Sequence, residues 1–363
     1  MFEYINAWYR RYFSDPQAAL MMVLLLLSLV ILLTMGKMLA PLLAAIVISY
    51  LLEGPIGRLS RSGVPRLLAV NLVFFAFVTF LIFVVLGLLP ILWRQLAQLL
   101  QEMPRMINNG QDLLLRLPEL YPNIISEDQV WNFINSVRSG LTNIGHNFLS
   151  LSLATIPAAV TIMVYLVLVP LMVYFFNKDK AEIVGWMSRF LPRDRRLVSD
   201  VWHEMDAQIG NYVRGKFYEI IIVGAAAYIL FKILGLAYAP LLAVVVGLSV
   251  LIPYIGAAAV TVPVALVGYF QWGWGPEFTW LIIWYLAIQF LDGNVLVPIL
   301  FSEANALHPN AIIVAILVFG GIWGFWGIFF AIPLATLVKA LINAWPTTHE
   351  RQEVESENLK PES

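Results

Sequence analysis

Polar side chains and helix-breaking residues interrupt the long apolar runs in the last third of the chain, residues 247–346. Gln289, Asp292 and Asn294 fall inside one apolar run, and Pro253 ends the run before it. Polar groups at membrane depth are costly unless they are buried in protein or line a cavity. A carboxylate with two amides could bind a cation or accept and donate hydrogen bonds to a polar solute. We therefore predict that this third of the chain binds or moves such a species.

The residues of the predicted path combine polarity with a position at or near a break. Pro253-Tyr254-Ile255-Gly256 should free backbone carbonyl and amide groups, which discontinuous helices of transporters use to bind ions or polar substrates. The predicted path residues are Asp292, Asn294, Gln289, Tyr254, Glu303 and His308. The predicted helix breaks are Pro253, Gly256, Gly293, Pro298 and Pro309.

Structural explanations compete with these functional ones. Asp292 and Gln289 could form a polar pair that stabilises a helix break. Glu303 and His308 could relay protons, or they could belong to a polar connecting loop, which we favour. The breaks themselves are better explained as architecture than as ligand contacts.

A cluster of glycines near the carboxyl end predicts close packing of helices. Small residues let helix backbones approach each other within a membrane. The run after His308-Pro309 is too long for one span, so these glycines also predict a bend or a hairpin. The packing residues, within the chain or between protomers, are Gly320, Gly321, Gly324 and Gly327.

The composition defines the class of protein. Of the 363 residues, 60% are hydrophobic and 12% are charged, whereas soluble domains are about 45–50% apolar and about 25% charged. The fold class is therefore an all-α polytopic membrane protein with about eight transmembrane helices. Re-entrant or broken helices are expected in its C-terminal third, and an extramembrane helical insert in its first half.

Several functions are excluded or disfavoured by what the sequence lacks. It has no cysteine, hence no disulfide, thiolate metal site or cysteine nucleophile. It contains neither a G-x-x-x-x-G-K-[ST] phosphate loop nor a His-Glu-x-x-His motif. We therefore expect no ATP hydrolysis, no metal, no cofactor and no enzymatic activity. The net charge of −1 gives no indication of nucleic-acid binding.

Changes in polarity along the chain predict six segments. The first should contain a short helical hairpin that turns at Gly36-Lys37, and the second a helix capped by Ser126. The segments are N-terminal transmembrane helices (1–93), a periplasmic amphipathic helical insert (94–154), a transmembrane helix (155–177), a basic cytoplasmic amphipathic segment (178–216), a C-terminal transmembrane core with broken helices (217–345) and a disordered acidic tail (346–363).

Lysine and arginine are unevenly divided between the two sides of the membrane in this scheme. If the N-terminus is cytoplasmic, 16 of the 22 basic residues lie at the inner side, eight of them in 178–216, and six lie outside. An excess of Lys and Arg in cytoplasmic loops sets the orientation of membrane proteins. We therefore expect both termini in the cytoplasm and the 94–154 insert on the opposite side.

Four motifs carry a family resemblance. They are Pro253-Tyr254-Ile255-Gly256, then Asp292-Gly293-Asn294-Val295-Leu296-Val297-Pro298, then Leu307-His308-Pro309, then Gly320-Gly321 followed by Ala331-Ile332-Pro333-Leu334. Together they resemble the autoinducer-2 exporter (AI-2E) family of permeases, and the sequence is similar to its PerM branch around Phe301-Ser302-Glu303. The family often has a Gly-Lys pair where this sequence has Ser302-Glu303. The insert and the basic segment also fit, so the resemblance covers most of the chain.

The resemblance implies a function as well as a fold. It implies a multi-pass protein of the bacterial inner (cytoplasmic) membrane that exports a small polar solute of the autoinducer-2 class without ATP. It also implies homo-oligomers, with pentamers as one form, surrounded by membrane lipids. One alternative is a sodium (lithium)/proton antiporter in which Asp292 or Glu303 titrates. Another is a membrane scaffold that transports nothing and binds a partner through the 94–154 insert.

Overall fold

The computed structural model describes residues 16–115, 126–132, 134–136, 139–140, 155–189, 196–253, 255–301 and 307–344. All regular secondary structure in these ranges is helical, which confirms the all-α prediction. The helices are α1 (Pro16–Arg61), α2 (Arg66–Phe83), α3 (Leu89–Leu114), α4 (Thr155–Lys178), α5 (Lys180–Ser188), α6 (Arg196–Leu234), α7 (Ala239–Ser249), α8 (Ile255–Trp272), α9 (Pro276–Leu291), α10 (Val297–Phe301), α11 (Pro309–Trp323), α12 (Phe325–Phe329) and α13 (Ala331–Ala344). Two π-helical turns, Val84–Leu88 and Asp292–Leu296, follow α2 and α9.

Within the described ranges, five helical stretches are long and apolar enough to cross a membrane. They are Met38–Arg61, Arg66–Met106, Met205–Leu234, Ile255–Trp272 and Pro276–Phe301. A sixth span is counted if the bent pair Ile162–Lys178 and Lys180–Ser188 forms one. Two shorter apolar helices, Ala239–Ser249 and Asn310–Trp323, bring the total to the predicted eight only if they too enter the membrane. The chain is a multi-pass membrane protein.

The predicted N-terminal hairpin is wrong. Gly36 and Lys37 lie inside a single 46-residue helix, α1, and this helix also continues through Pro41 and Pro55. A glycine in a helix interior costs only about 1 kcal/mol relative to alanine, so Gly36 alone does not force a turn. Proline removes one backbone donor, and neighbouring groups can re-satisfy the carbonyl that it frees in a membrane helix.

The helix does not end at residue 94, where the predicted extramembrane insert begins. One apolar stretch runs from Arg66 to Met106 through the first π-helical turn, past residue 94. Further along, Ser126 caps a helix as predicted: its hydroxyl accepts from the Gln129 backbone N–H at 3.4 Å, and Gln129 Oε1 accepts from the Ser126 N–H at 3.2 Å. These reciprocal bonds form a capping box. The predicted tail, 346–363, lies outside the described residues.

The chain divides into two compact units. The first comprises Met1–Val73, Val169–Tyr218 and Asn294–Ser363, and the second comprises Phe74–Leu168 and Glu219–Gly293. In the first unit, polar side chains of α1 hold neighbouring helices. Tyr50 donates a hydrogen bond to Asp206 of α6, and Asn177 at the end of α4 donates to Ser49.

An aromatic cluster joins α6 to the C-terminal helices of the first unit. The Tyr212 ring packs against Phe301 and Phe329, with ring centres 5.9 and 6.0 Å apart, and its hydroxyl donates to the Phe329 carbonyl at 2.9 Å. The buried Lys216 ammonium lies 5.2 Å from the centre of the Phe301 ring. A Cβ at Gly215 would overlap that ring, so this close approach requires glycine.

Close backbone approaches hold the second unit together. A Cβ added to Gly247 of α7 would lie 2.8 Å from the Ile220 carbonyl oxygen and 3.1 Å from the Gly224 Cα of α6. Gly268 of α8 similarly accommodates the Leu281 side chain of α9. These glycines allow α6, α7, α8 and α9 to pack tightly, and Phe231, Val264, Leu281 and Tyr285 are fully buried there.

Candidate functional site

One face of α9 changes from apolar to polar along its length. Leu281 and Tyr285 are fully buried, while Gln289 and Asp292 on the same face are half-buried. The spacings of four, four and three residues place the four side chains in one row, because an α-helix has 3.6 residues per turn. The Asp292 Oδ1 atom is inaccessible to solvent. The second unit therefore carries a polar row within a helix long enough to span a membrane.

Tyr285 connects this row to two other helices. Its hydroxyl oxygen lies 3.3 Å from Thr261 Oγ1 of α8, and Gln289 Nε2 donates to it at 3.0 Å. Its ring stacks on Phe231 of α6, with ring centres 6.3 Å apart and an angle of 24° between the planes. Three helices of the second unit therefore fix the position of one hydroxyl group.

The hydrogen bonds also fix the orientation of the Gln289 amide. Thr261 Oγ1 lies within hydrogen-bond distance of both the Ala257 carbonyl oxygen, at 2.8 Å, and the Tyr285 hydroxyl, at 3.3 Å. Because Gln289 directs its NH₂ group at Tyr285, its carbonyl oxygen is directed elsewhere. An amide oxygen and the Asp292 carboxylate can then accept hydrogen bonds from a solute or coordinate a cation.

The break predicted at Gly293 and Pro298 is a change of helical pitch instead. A π-helical turn, Asp292–Leu296, joins α9 to α10, and Pro298 is the second residue of α10. Proline lacks an N–H and crowds the carbonyl four residues earlier, and the wider turn just before Pro298 relieves that crowding while the helix continues. Single π-helical turns occur frequently at functional sites.

Pro253 separates two helices, as the sequence predicts. α7 ends at Ser249, and α8 begins at Ile255. Gly256 is not itself the break, because it lies in the first turn of α8. A Cβ there would overlap the Ser249 carbonyl oxygen, so glycine lets the two helix ends meet.

The remaining predicted path residues are distributed more widely. Asn294 is exposed and belongs to the first unit. His308 caps α11: its Nδ1 accepts from the Asn310 backbone N–H at 3.3 Å, and Pro309 occupies the first helical position. This bond explains His308 as a helix cap, in agreement with the connecting-loop interpretation. Tyr254 and Glu303 lie outside the described residues.

The glycine-rich segment forms the predicted hairpin. α11 ends at Trp323, and Gly324 has a positive φ of 59°, which reverses the chain into α12 and α13. A Cβ at Gly320 would lie 2.8 Å from Ile328, and one at Gly327 would overlap the Phe319 carbonyl oxygen. Gly320 and Gly327 therefore pack the chain against itself, whereas Cβ atoms at Gly321 and Gly324 would meet open space.

The sequence analysis missed a polar clamp on α7. Gln95 Oε1 of α3 accepts from the Leu241 backbone N–H at 3.0 Å and so satisfies the N-terminus of α7. Two helical turns along α3, Glu102 accepts from the Tyr238 hydroxyl, and Tyr238 itself has a left-handed φ of 57°. Burial, together with this bond and the carboxylate charge, raises the pKa of Tyr238 to about 12. The spacing of seven residues between Gln95 and Glu102 was visible in the sequence. The sequence did not show that the start of α7 packs against them.

The fold and the site define a class: a helical, multi-pass membrane protein with a polar row inside a spanning helix and no cluster of metal-ligating side chains in the described ranges. The comparisons agree. The model of the AI-2E family transporter matches residues 20–347. The chain belongs to the AI-2E family of transporters.

Relatives in two bacteria illustrate the range of similarity. The chain is 48% identical over 353 residues to the protein named "Putative permease PerM" of Escherichia coli (strain K12), covering 97% of this chain and 100% of the relative. It is 26% identical over 298 residues to "Putative transport protein YueF" of Bacillus subtilis (strain 168), covering 81% and 80%. It is 24% identical over 310 residues to "AI-2 transport protein TqsA" of Escherichia coli (strain K12), covering 84% and 85%.

Proposed function

We propose that this protein is a permease of the bacterial inner membrane that moves a small polar solute along the polar face of α9, without ATP hydrolysis. The observation that carries the proposal is the row Tyr285, Gln289 and Asp292, which lies inside the apolar stretch Pro276–Phe301. Ionisable and polar side chains within a spanning helix typically mark a substrate or ion pathway.

The chemistry of the row favours a solute that donates hydrogen bonds. The Gln289 carbonyl oxygen and the Asp292 carboxylate are acceptors, and the Gln289 NH₂ group is already directed at Tyr285. A neutral hydroxylated solute can donate hydrogen bonds to both groups, whereas an anion would be repelled by the carboxylate. The relative named "AI-2 transport protein TqsA" is consistent with a solute of the autoinducer-2 class. The cytoplasmic position of both termini and assembly into homo-oligomers remain predictions.

Transport through a reconstituted protein tests the proposal. We expect Asp292→Asn, which removes the charge but keeps the shape, to lower the flux of a hydroxylated furanone-type solute from liposomes about tenfold, equivalent to about 1.4 kcal/mol in the barrier. Glu182→Gln makes the same chemical change in the first turn of α5, in the first unit, and should leave the flux unchanged.

Two results would contradict the proposal. Equal flux in wild type and Asp292→Asn would remove the carboxylate from the pathway. Proton movement that requires sodium or lithium and no organic solute would instead show the antiporter, in which Asp292 exchanges a proton for a cation. Liposomes loaded with a pH-sensitive dye distinguish these outcomes in one experiment.

A further inference from the structure

The short helix α5 leaves the end of α4 at a sharp angle. The axes of Ile162–Lys178 and Lys180–Ser188 differ by 78°. α4 has 24 residues and is therefore about 36 Å long, which already exceeds the hydrocarbon thickness of about 30 Å. α5 is thus not needed to complete that span, and a helix at 78° to a spanning helix has the direction of one that runs along the membrane surface.

The contacts at the end of α4 mark the membrane boundary. The Lys178 ammonium lies 6.0 Å from the centre of the Tyr174 ring and 5.9 Å from that of Phe175. Aromatic side chains and lysines that occur together at the end of a spanning helix are typical of the membrane–water interface. The Asn177 side chain, 3% exposed, donates to Ser49 and to the Val173 carbonyl, which fixes the point of the bend.

The side chains of α5 divide into two opposite stripes. At about 100° per residue, Ile183, Val184 and Met187 lie on one side together with Lys180, the first residue of the helix, and Val184 and Met187 are 42% and 52% exposed. Ala181, Glu182 and Gly185 lie on the other side, and all three are exposed. Trp186, 60% exposed, lies at the border between the stripes. An apolar stripe left open beside a spanning helix suits insertion into the interface of a bilayer.

Basic residues flank this helix at both ends. Lys178, whose Nζ lies 3.9 Å from Asp179 Oδ1, precedes the helix, Lys180 is its first residue, and the exposed Arg189 follows its last residue. Lys180 also reaches Glu53 of α1, with 3.9 Å between Nζ and Oε1, which tethers the start of α5 to the first unit. Lysine and arginine near a membrane surface attract anionic lipids, each contributing about 1 kcal/mol.

We propose that α5 is an interfacial helix that inserts Val184 and Met187 into the bilayer and binds anionic lipid headgroups through Lys178 and Arg189. The partner is the lipid surface at the leaflet where α4 ends. The helix thereby holds the end of α4, and the start of the long α6 that follows in the chain, at a fixed depth.

Spin labels test this depth directly, because the chain has no native cysteine and any introduced one is unique. Met187→Cys places a label on the apolar stripe. Gly185→Cys places one on the opposite stripe, where an added Cβ meets open space, and Ala181→Cys gives a second label on that side. The full chain is placed in phosphatidylcholine vesicles, and collisions with oxygen and with a water-soluble nickel chelate are compared.

We expect the ratio of oxygen to nickel collisions to be several-fold higher at position 187 than at positions 185 and 181. Adding phosphatidylglycerol should increase this difference, and the double variant Lys178→Gln, Arg189→Gln should remove the increase. Nickel access at all three positions would show that α5 stands free in water. High oxygen access at all three would show a re-entrant helix within the bilayer. Either result overturns the proposed insertion of α5. If phosphatidylglycerol does not change the difference in collision ratio between position 187 and the other two positions, the proposed contact with anionic lipids is wrong.

Discussion

At the scale of single residues, the polar row depends on a tyrosine whose hydroxyl is fully buried. Tyr285 accepts a hydrogen bond from the Gln289 NH₂ group and lies beside Thr261, so it determines which atom of the Gln289 amide is directed away from it. An unsatisfied buried polar group costs about 1–3 kcal/mol, and the three side chains satisfy one another. In the proposed pathway, Tyr285 is thus a positioning residue for Gln289 and Asp292.

Removing this hydroxyl should weaken solute recognition more than it weakens the fold. We expect Tyr285→Phe to raise the apparent KM for transport about tenfold, since a lost hydrogen bond with a misplaced amide costs about 1–1.5 kcal/mol, and to leave the maximal rate within about twofold. Flux measured against solute concentration in liposomes checks this.

Tyr212→Phe is the matched control for this change. It also removes a buried hydroxyl, which donates to the Phe329 carbonyl in the first unit, far along the chain from the polar row. It should lower stability by a similar amount and leave KM unchanged. If both variants shift KM equally, Tyr285 has no special role in orienting Gln289.

The residues of the row differ in how far sequence alone could identify them. Asp292 and Gln289 stand out as polar groups in an apolar run. Tyr285 does not, because a tyrosine in such a run is ordinary, and only its spacing of four and seven residues from the other two pointed to a shared face. Thr261 could not be identified from the sequence. Its contact with Tyr285 depends on how α8 packs against α9, and the sequence alone does not show that packing.

At the scale of helices, glycines decide where backbones meet. Gly247 lies where α7 crosses α6, and the space for its Cβ is occupied by the Ile220 carbonyl oxygen and Gly224. Such a contact brings the helices of the second unit, and with them the Phe231 ring, into place around Tyr285.

A methyl group at this crossing should force the helices apart. We expect Gly247→Ala to lower the free energy of unfolding by about 1–3 kcal/mol, the usual cost of overpacking. Gly57→Ala is the control, because an added Cβ in that turn of α1 meets nothing within 4 Å, and alanine at a compatible site stabilises by about 0.4–1 kcal/mol. Denaturant titration in detergent measures both. Equal effects would show that the crossing is not tight.

Signals that act through neighbouring residues predicted the ends of helices well. Glycines and prolines whose effect depends on distant groups did not predict helix ends. Pro253, the Gly324 reversal and the Ser126 cap each act through their own neighbours, and each appears in the structure. Gly36 was expected to end a helix and does not, and the same helix also continues through Pro55. Whether a glycine or proline ends a membrane helix depends on which group donates a hydrogen bond to the carbonyl that it frees. That group can lie far away in the sequence.

At the scale of the whole molecule, the described residues contain five or six stretches able to span a membrane, and the family match over residues 20–347 establishes a transport protein of the AI-2E family. Composition was enough to predict an all-α membrane protein. The number of spans was harder to predict, because α7 has only 11 residues and sequence length alone did not show whether it crosses. In the proposed pathway, the polar row of α9 faces a water-filled passage.

Reaction of introduced cysteines with a charged methanethiosulfonate tests that claim most directly, since the chain has none of its own. Gln289→Cys lies in the polar row, and Phe290→Cys replaces the next residue, whose side chain is 65% exposed on the surface of this spanning helix. In sealed liposomes we predict rapid reaction at position 289, slowed by solute, and almost none at position 290. Absence of reaction at position 289, with or without solute, would contradict the account.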